Sequence, residues 1–359
     1  MKNPLESIQF FFDDKSMSEL LIDGWENVYY EKNGQLIDAP DVFQNEAEVY
    51  DLIRHILEPL GHRVDEAHPF IDARLPDGSL VNVIVPPISM VGPAVTIRKV
   101  HYSQGLNMPL LVEYNSLSQQ ISDFLKACVV GRKNIVVAGG TSSGKTTFLN
   151  ILAREIPDNE RIIVCEIEPF RLNKKWVVSL EPRPADIDGR GEISMRDLIH
   201  NAAHMRPDRI IVTEVNGGET FHLLSLMNNG HDGTMFSLHA ISSLDALARI
   251  EMMASLGNPA MPLLTTRTQI ASAIDLLVYQ ERLSDGTRKI TKISELTGVS
   301  DGLITTRDLF EFRRTGIVDG RVMGFHTATG AIPTFLQRLQ EDLRYAHMEV
   351  PLSLFTPSA

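Results

Sequence analysis

Gly139-Gly140-Thr141-Ser142-Ser143-Gly144-Lys145-Thr146-Thr147 is the stretch on which the reading of this chain turns. It follows Ile135-Val136-Val137-Ala138, four apolar residues in a row, and precedes Phe148, Leu152 and Ile156, a stripe at helical spacing. The first pattern is that of a strand buried on both faces, the second that of an amphipathic helix. Between them Gly139-x-x-x-x-Gly144-Lys145-Thr146 fits a phosphate-binding loop at every fixed position. The glycines let successive backbone N–H groups turn inward, and the helix N-terminus adds the positive end of its dipole. Lys145 would place a cation between β- and γ-phosphates, and the Thr146 hydroxyl would ligate Mg²⁺. All nine residues from Gly139 to Thr147 are therefore candidate contacts for ATP with Mg²⁺.

Around this loop the pattern is regular. Arg161–Glu166 and Arg209–Thr213 read as further apolar strands, and continuous apolar strands alternating with helices predict α/β structure with a largely parallel sheet. Ser116 with Gln119 reads as a capping box for a helix through Val130, striped by Leu117, Ile121, Leu125 and Cys128 and stopped at Gly131. Leu276–Leu283 and Arg288–Leu296 flank Asp285-Gly286 and predict antiparallel strands that extend the sheet. Thr334–Tyr345 reads as a terminal amphipathic helix.

The first ~100 residues read as a smaller α+β unit. Strands are expected at Leu20–Ile22, at Val28–Glu31 before the turn Asn33-Gly34, at Phe70–Leu75 and Leu80–Val85 around Pro76-Asp77-Gly78, and at Ala94–Val100. Asn45 should cap a helix whose buried face is Val49, Leu52, Ile53, Ile56 and Leu57, ending at Gly61. Ser103–Pro109 reads as a linker, because Gly, Asn and Pro interrupt both periodicities.

The bulk composition narrows the function. A length of 359 residues suggests about two domains, and net charge −12 lowers the expectation of nucleic-acid binding. No secretory signal is visible, and no apolar run approaches the ~18 residues that span a bilayer, so a cytoplasmic protein is expected. Cys128 and Cys165 read as buried free thiols, too few for a four-cysteine zinc site.

Three further elements carry chemistry. Ile210-Ile211-Val212-Thr213-Glu214 is an apolar strand ending in a carboxylate, where a crevice of an open sheet would hold metal or water, so Glu214 is a candidate Mg²⁺ ligand and catalytic group. Glu166 follows the strand Ile162–Cys165, and Glu168 shares its side if the strand continues; either would serve as general base. His231 and His239, set among glycines, would contact a γ-phosphate or report its loss; metal ligation is the alternative, although no cysteine or acidic cluster completes a site.

These four elements, in this order, resemble the secretion ATPase superfamily that powers type II and type IV secretion and type IV pili. Phe70–Asn82, Gly92–Lys99 and Met205–Val212 are similar to its tight-adherence (Flp) pilus motor branch, the CpaF/TadA-like ATPases. The resemblance implies a phosphate loop, an acidic box at Glu166, a second acidic strand end at Glu214 and a histidine box at His231 and His239. With the patterns above, the expected organisation is an N-terminal α+β domain over 1–102, a linker over 103–112, a RecA-like ATPase domain with a C-terminal antiparallel extension over 113–330, and a terminal helix and tail over 331–359. A homo-hexamer is implied, with Arg74 and Arg98 of the N-terminal domain reaching the nucleotide phosphates. So are work at an inner-membrane platform protein and a place in the cytoplasm at that membrane's face. Arg183, Arg196 and Arg206 are weaker candidates, read by default as surface or subunit contacts. The chain departs from the family where Ile167 follows Glu166 in place of Asp, which leaves the base open between Glu166 and Glu214. Two other readings stand beside ATP-driven secretion: a nucleic-acid motor on the same fold, and a nucleotide-binding scaffold with weak turnover.

Overall fold

Asn45 is extended, and its side chain accepts the Glu48 N–H at 3.2 Å, so the chain turns there into a helix, Glu46–Leu57. Val49, Leu52, Ile53, Ile56 and Leu57 form its buried face, and Gly61 ends the following 3₁₀ turn in the left-handed region at φ 75°. This is the central helix of the first of two units. The structure, a computed structural model, describes residues 4–32, 35–39, 41–99, 105–167, 170–185 and 190–357. The chain divides into Met1–Gln104 with Ala185–Gly191, and Gly105–Pro184 with Glu192–Ala359.

The first unit contains α1 (Gln9–Asp13), β1 (Met17–Asp23), β2 (Asn27–Lys32), β3 (Gln35–Asp38), α2 (Glu46–Leu57), β4 (Phe70–Arg74), β5 (Leu80–Ile84) and β6 (Ala94–Arg98). Its strands form one antiparallel sheet in the order β3-β2-β1-β6-β5-β4. Leu20, Ile22, Val81, Val83, Val95 and Ile97 alternate onto one face and pack on α2, the period-2 geometry of strands covered on one side. The expected turn Asn33-Gly34 lies outside the described residues.

The second unit contains α3 (Met108–Glu113), α4 (Gln119–Val130), β7 (Ile135–Gly139), α5 (Lys145–Arg154), β8 (Ile162–Cys165), β9 (Val177–Leu180), α6 (Met195–His204), β10 (Arg209–Val212), α7 (Glu219–Asn228), β11 (Met235–His239), α8 (Ser243–Gly257), α9 (Leu263–Ala273), β12 (Leu276–Arg282), β13 (Arg288–Ser300), β14 (Leu303–Val318), β15 (Arg321–Ala328) and α10 (Leu336–Leu343). Nine strands form one sheet, β15-β14-β13-β12-β7-β11-β10-β8-β9, parallel from β12 to β9 and antiparallel beyond β12. Alternation divides its core into two layers. Ile135, Val137, Ile162, Val164 and Ile211 face α4, α5 and α10; Val136, Ala138, Ile163, Ile210 and Val212 face α6, α7, α8 and α9. Both faces are covered, so these strands are almost wholly apolar; the exception is Arg209, which opens β10 and pairs with the Glu160 carboxylate.

The sequence-based reading differs in four places. Residues 108–112 of the expected linker are helical, because Asn107 caps α3 by accepting the Leu110 N–H at 3.0 Å and Pro109 sits in the first turn, where its missing N–H costs nothing. The cap of α4 is Ser118, which accepts the Ile121 N–H at 3.3 Å, and not Ser116. The sheet gains β9, β14 and β15. Residues 331–359 do not stand apart: Leu336, Leu339, Leu343, Val350 and Phe355 complete the core against α4.

Candidate functional site

Parallel strands end at one edge of their sheet, so register alone fixes what meets there. Gly139 closes β7 in register with His239, which closes β11, and the Ala240 N–H donates to the Gly139 carbonyl at 3.1 Å. Beside β11 runs β10, whose Val212 lies opposite Phe236 on one side and Cys165 of β8 on the other. The loop 139–147, His239, Glu214 and Glu166 therefore line one edge.

The loop is shaped by its glycines and by one strained serine. A Cβ on Gly139 would lie 2.5 Å from both the Gln280 carbonyl and Ser143 Oγ, so only glycine fits against β12. Gly144 has φ 93° and opens α5 without any side-chain cap, which leaves the first-turn N–H groups free for an anion. Ser142 sits in the left-handed region at φ 58°, and its carbonyl accepts from Arg288 Nε at 3.0 Å. Ser143 Oγ and Gln280 Oε1 are buried without a hydrogen-bond partner behind the loop.

Lys145, the first residue of α5, reaches across the edge. Its Nζ lies 3.4 Å from Glu214 Oε1, with the two side chains only 13% and 18% exposed. Glu214 stands two residues past β10, and its place is held by Thr213: the Thr213 N–H donates to the Cys165 carbonyl at 3.0 Å and its carbonyl accepts from the Ser237 hydroxyl. Thr146 and Thr147, half-buried, follow Lys145 in the same turn.

The other candidates separate. Glu166 is buried, and its carboxylate accepts the Phe170 N–H, so it closes its own loop. Glu168 lies outside the described residues. Burial, with the Glu166 charge beside it, pushes the Cys165 thiol up to about 12, and burial drives Cys128 well up too, so neither is a thiolate near neutral pH. Six residues after His239, Asp245 accepts the Ile241 N–H and pairs with Arg249, and those bonds hold its carboxyl below the usual carboxylate range.

His231 does not join this group. It precedes β11 while His239 closes it, so the two stand at opposite edges of the sheet. Its carbonyl accepts the Thr234 hydroxyl at 2.7 Å and its N–H donates to the Leu226 carbonyl at 3.2 Å. Eight residues spanning a strand carry the chain across the sheet from one histidine to the other. Arg74 and Arg98 belong to the first unit, in one cross-strand row, Arg74–Leu80–Arg98–Glu19. Arg98 is not a lone cation there: its Nε lies 2.5 Å from Glu19 Oε1.

Among the described residues, no three His, Cys, Asp or Glu side chains converge on a metal position. Thr146 and Glu214 supply one hydroxyl and one carboxylate. That set suits Mg²⁺, which keeps most of its shell for water and substrate phosphate oxygens. Sequence reasoning missed Gln280 of β12 and Arg288 of β13, which touch the loop; only strand register brings them there.

Residues 3–324 match the model of the family described as type II/IV secretion system protein. The chain belongs to that family. A putative conjugal transfer protein of Mycobacterium tuberculosis is 28% identical over 287 residues, covering 78% of this chain and 80% of its own. The type IV secretion system protein VirB11 of Bartonella quintana is 28% identical over 328 residues, covering 80% of this chain and 91% of its own. Among solved structures, the pilus retraction motor PilT with bound ADP superposes with a TM-score of 0.56 at 17% identity, over 99% of this chain and 94% of its own. That likeness is one of fold. In this member of the type II/IV secretion family, no helix among the described residues is long and apolar enough to cross a membrane.

Proposed function

We propose that this chain is a RecA-like ATPase that binds ATP on the loop 139–147 and hydrolyses it to ADP and phosphate. The observation that carries this reading is the Lys145–Glu214 pair, 3.4 Å apart at the sheet edge where the open N-terminus of α5 and His239 also stand. Its chemistry follows from charge. A triphosphate offers the Lys145 ammonium a partner of higher charge than one carboxylate, and its oxygens meet the open N–H groups of α5. Glu214, released from Lys145, orients the attacking water and accepts its proton. Thr146 and Glu214 would hold Mg²⁺, which would supply positive charge against the phosphate charge that builds up during transfer. His239, at the strand end beside Gly139, contacts the γ-phosphate. Glu166, tied to Phe170, supports the strand end and leaves the base role to Glu214.

The work done is protein secretion or pilus extension and retraction, in a homo-hexamer that acts from the cytoplasm on an inner-membrane platform protein. Family membership and the named type IV secretion relative support secretion. The stretches 70–82, 92–99 and 205–212 support the tight-adherence pilus branch. In that assembly Arg74 and Arg98 of the N-terminal unit contact nucleotide phosphates, with Arg98 exchanging Glu19 for phosphate. No nucleic-acid substrate is required. Phosphate release by the purified chain tests the reading, with Lys145→Ala alongside. The variant should bind nucleotide weakly and release no phosphate; release at the wild-type rate would refute the assignment. ATP binding without release by the wild type would leave a nucleotide-binding scaffold.

A further inference from the structure

Arg288 opens β13, 146 residues from the phosphate loop in sequence, yet its Nε donates to the Ser142 carbonyl at 3.0 Å. Its stem lies over the loop's last glycine: a Cβ on Gly144 would come within 3.0 Å of Arg288 Cδ. Ser142 needs such support. A non-glycine residue at φ 58° pays a steric penalty that a loop free to relax would shed. The partner is itself fixed. Asp285, in the β12–β13 turn, accepts the Thr287 N–H at 3.0 Å, the Thr287 hydroxyl at 2.7 Å and the Val322 N–H at 2.8 Å. Those bonds hold its carboxyl down at about 2, so it stays ionised and the turn stays closed at any ordinary pH. On the other side of that turn, Gln280 runs in register with Gly139, which locks the hairpin to β7.

We propose that Arg288 is a positioning residue: through the Ser142 carbonyl it holds the phosphate loop in its anion-ready shape. The acceptor is a main-chain carbonyl oxygen. Carbonyl oxygens of a phosphate loop face away from the bound anion, so Arg288 acts on the loop and not on the substrate. This inference rests on the reading of residues 139–147 as the nucleotide loop.

Two substitutions separate the brace from the charge. Glutamine places an N–H at the position of Arg Nε and carries no charge, whereas methionine fills the same length and donates nothing. Titrations of a fluorescent ATP analogue into the full-length chain, with phosphate-release kinetics, read the outcome. Arg288→Met should raise the dissociation constant and KM up to roughly ten-fold with kcat within about two-fold, as expected when one hydrogen bond serving ground and transition states alike is lost. Arg288→Gln should restore both constants to within about two-fold of wild type. Equal losses in the two variants would show that charge matters and overturn the brace. Wild-type constants in Arg288→Met would overturn it as well. Failure of the wild-type chain to bind the analogue would instead refute the loop reading on which this inference rests.

Discussion

Glu214→Gln tests the pair at the centre of the site, because it keeps shape and removes one charge. At 3.4 Å the Lys145–Glu214 attraction amounts to about 5 kcal/mol at an effective dielectric of about 20. Desolvation offsets most of that, since both side chains are more than four-fifths covered. A net coupling of about 1–2 kcal/mol is a reasonable remainder, within the range of partly buried pairs. Two consequences follow with opposite signs. The nucleotide-free variant should lose about 1–2 kcal/mol of stability, because Lys145 is left without its counter-charge. Nucleotide binding should tighten by roughly 5- to 30-fold, because phosphate no longer competes with a carboxylate for the same ammonium. Hydrolysis should nonetheless fall by ~10²-fold or more, as expected when a general base is removed. Urea unfolding without nucleotide measures the first effect, calorimetric titration with ADP in the absence of metal the second, and phosphate release the third. A variant with wild-type stability and unchanged ADP affinity would show that Lys145 and Glu214 are not coupled. The proposed handover of Lys145 from carboxylate to phosphate would then fail.

Lys145→Ala should abolish phosphate release while leaving the unfolding transition cooperative, which circular dichroism during a thermal ramp would check. His239→Ala should lower kcat about ten-fold with the ATP dissociation constant little changed, the signature of a contact strengthened in the transition state; a raised dissociation constant with intact kcat would make His239 a plain binding residue. His326 is buried on β15 with Nε2 3.0 Å from the Ile290 carbonyl, and burial pushes it down to about 4. Its folded value lies below the unfolded one, so the unfolded chain takes up a proton that the folded chain refuses, and stability is lost as pH falls from ~6.5 towards ~4. That loss should reach about 2 kcal/mol at pH ~5 relative to pH ~7, and urea unfolding of His326→Gln at both values should show a smaller difference than wild type.

The parts of the fold that were legible are those whose signal is local. Val49, Leu52, Ile53, Ile56 and Leu57 fix the buried face of α2 within twelve residues of their cap, and the four apolar residues before Gly139 announce a doubly covered strand. β14 was not legible, because it runs from Leu303 to Val318 with only Leu309 and Phe310 buried, so no alternation marks it. β9 is a four-residue edge strand without one fully buried side chain, which gives periodicity nothing to act on. The Ser116–Gln119 pattern misled by two residues because Ser118 offers the same hydroxyl at the true helix start. Pro109 misled by its reputation as a breaker, which does not hold in the first turn of a helix.

For the site, the line between legible and hidden is drawn by the sheet edge. Residues at the carboxyl end of a parallel strand share an edge whichever strand they come from, so Gly139 and His239, which close their strands, and Glu214, two residues past β10, converge on strand placement alone. His231 breaks the rule because it lies before its strand, and a spacing of eight residues that looks compact in sequence carries the chain from one edge of the sheet to the other. Arg288 breaks it in the opposite sense. It begins an antiparallel strand, and an antiparallel strand starts at the edge where its parallel neighbour ends, so its first residue belongs beside the loop as naturally as Glu214 does. Register with Arg282 brings it there, through a turn whose Asp285-Gly286 was already visible. The candidate positions around a phosphate loop therefore include strand starts as well as strand ends, wherever an antiparallel hairpin extends the parallel sheet.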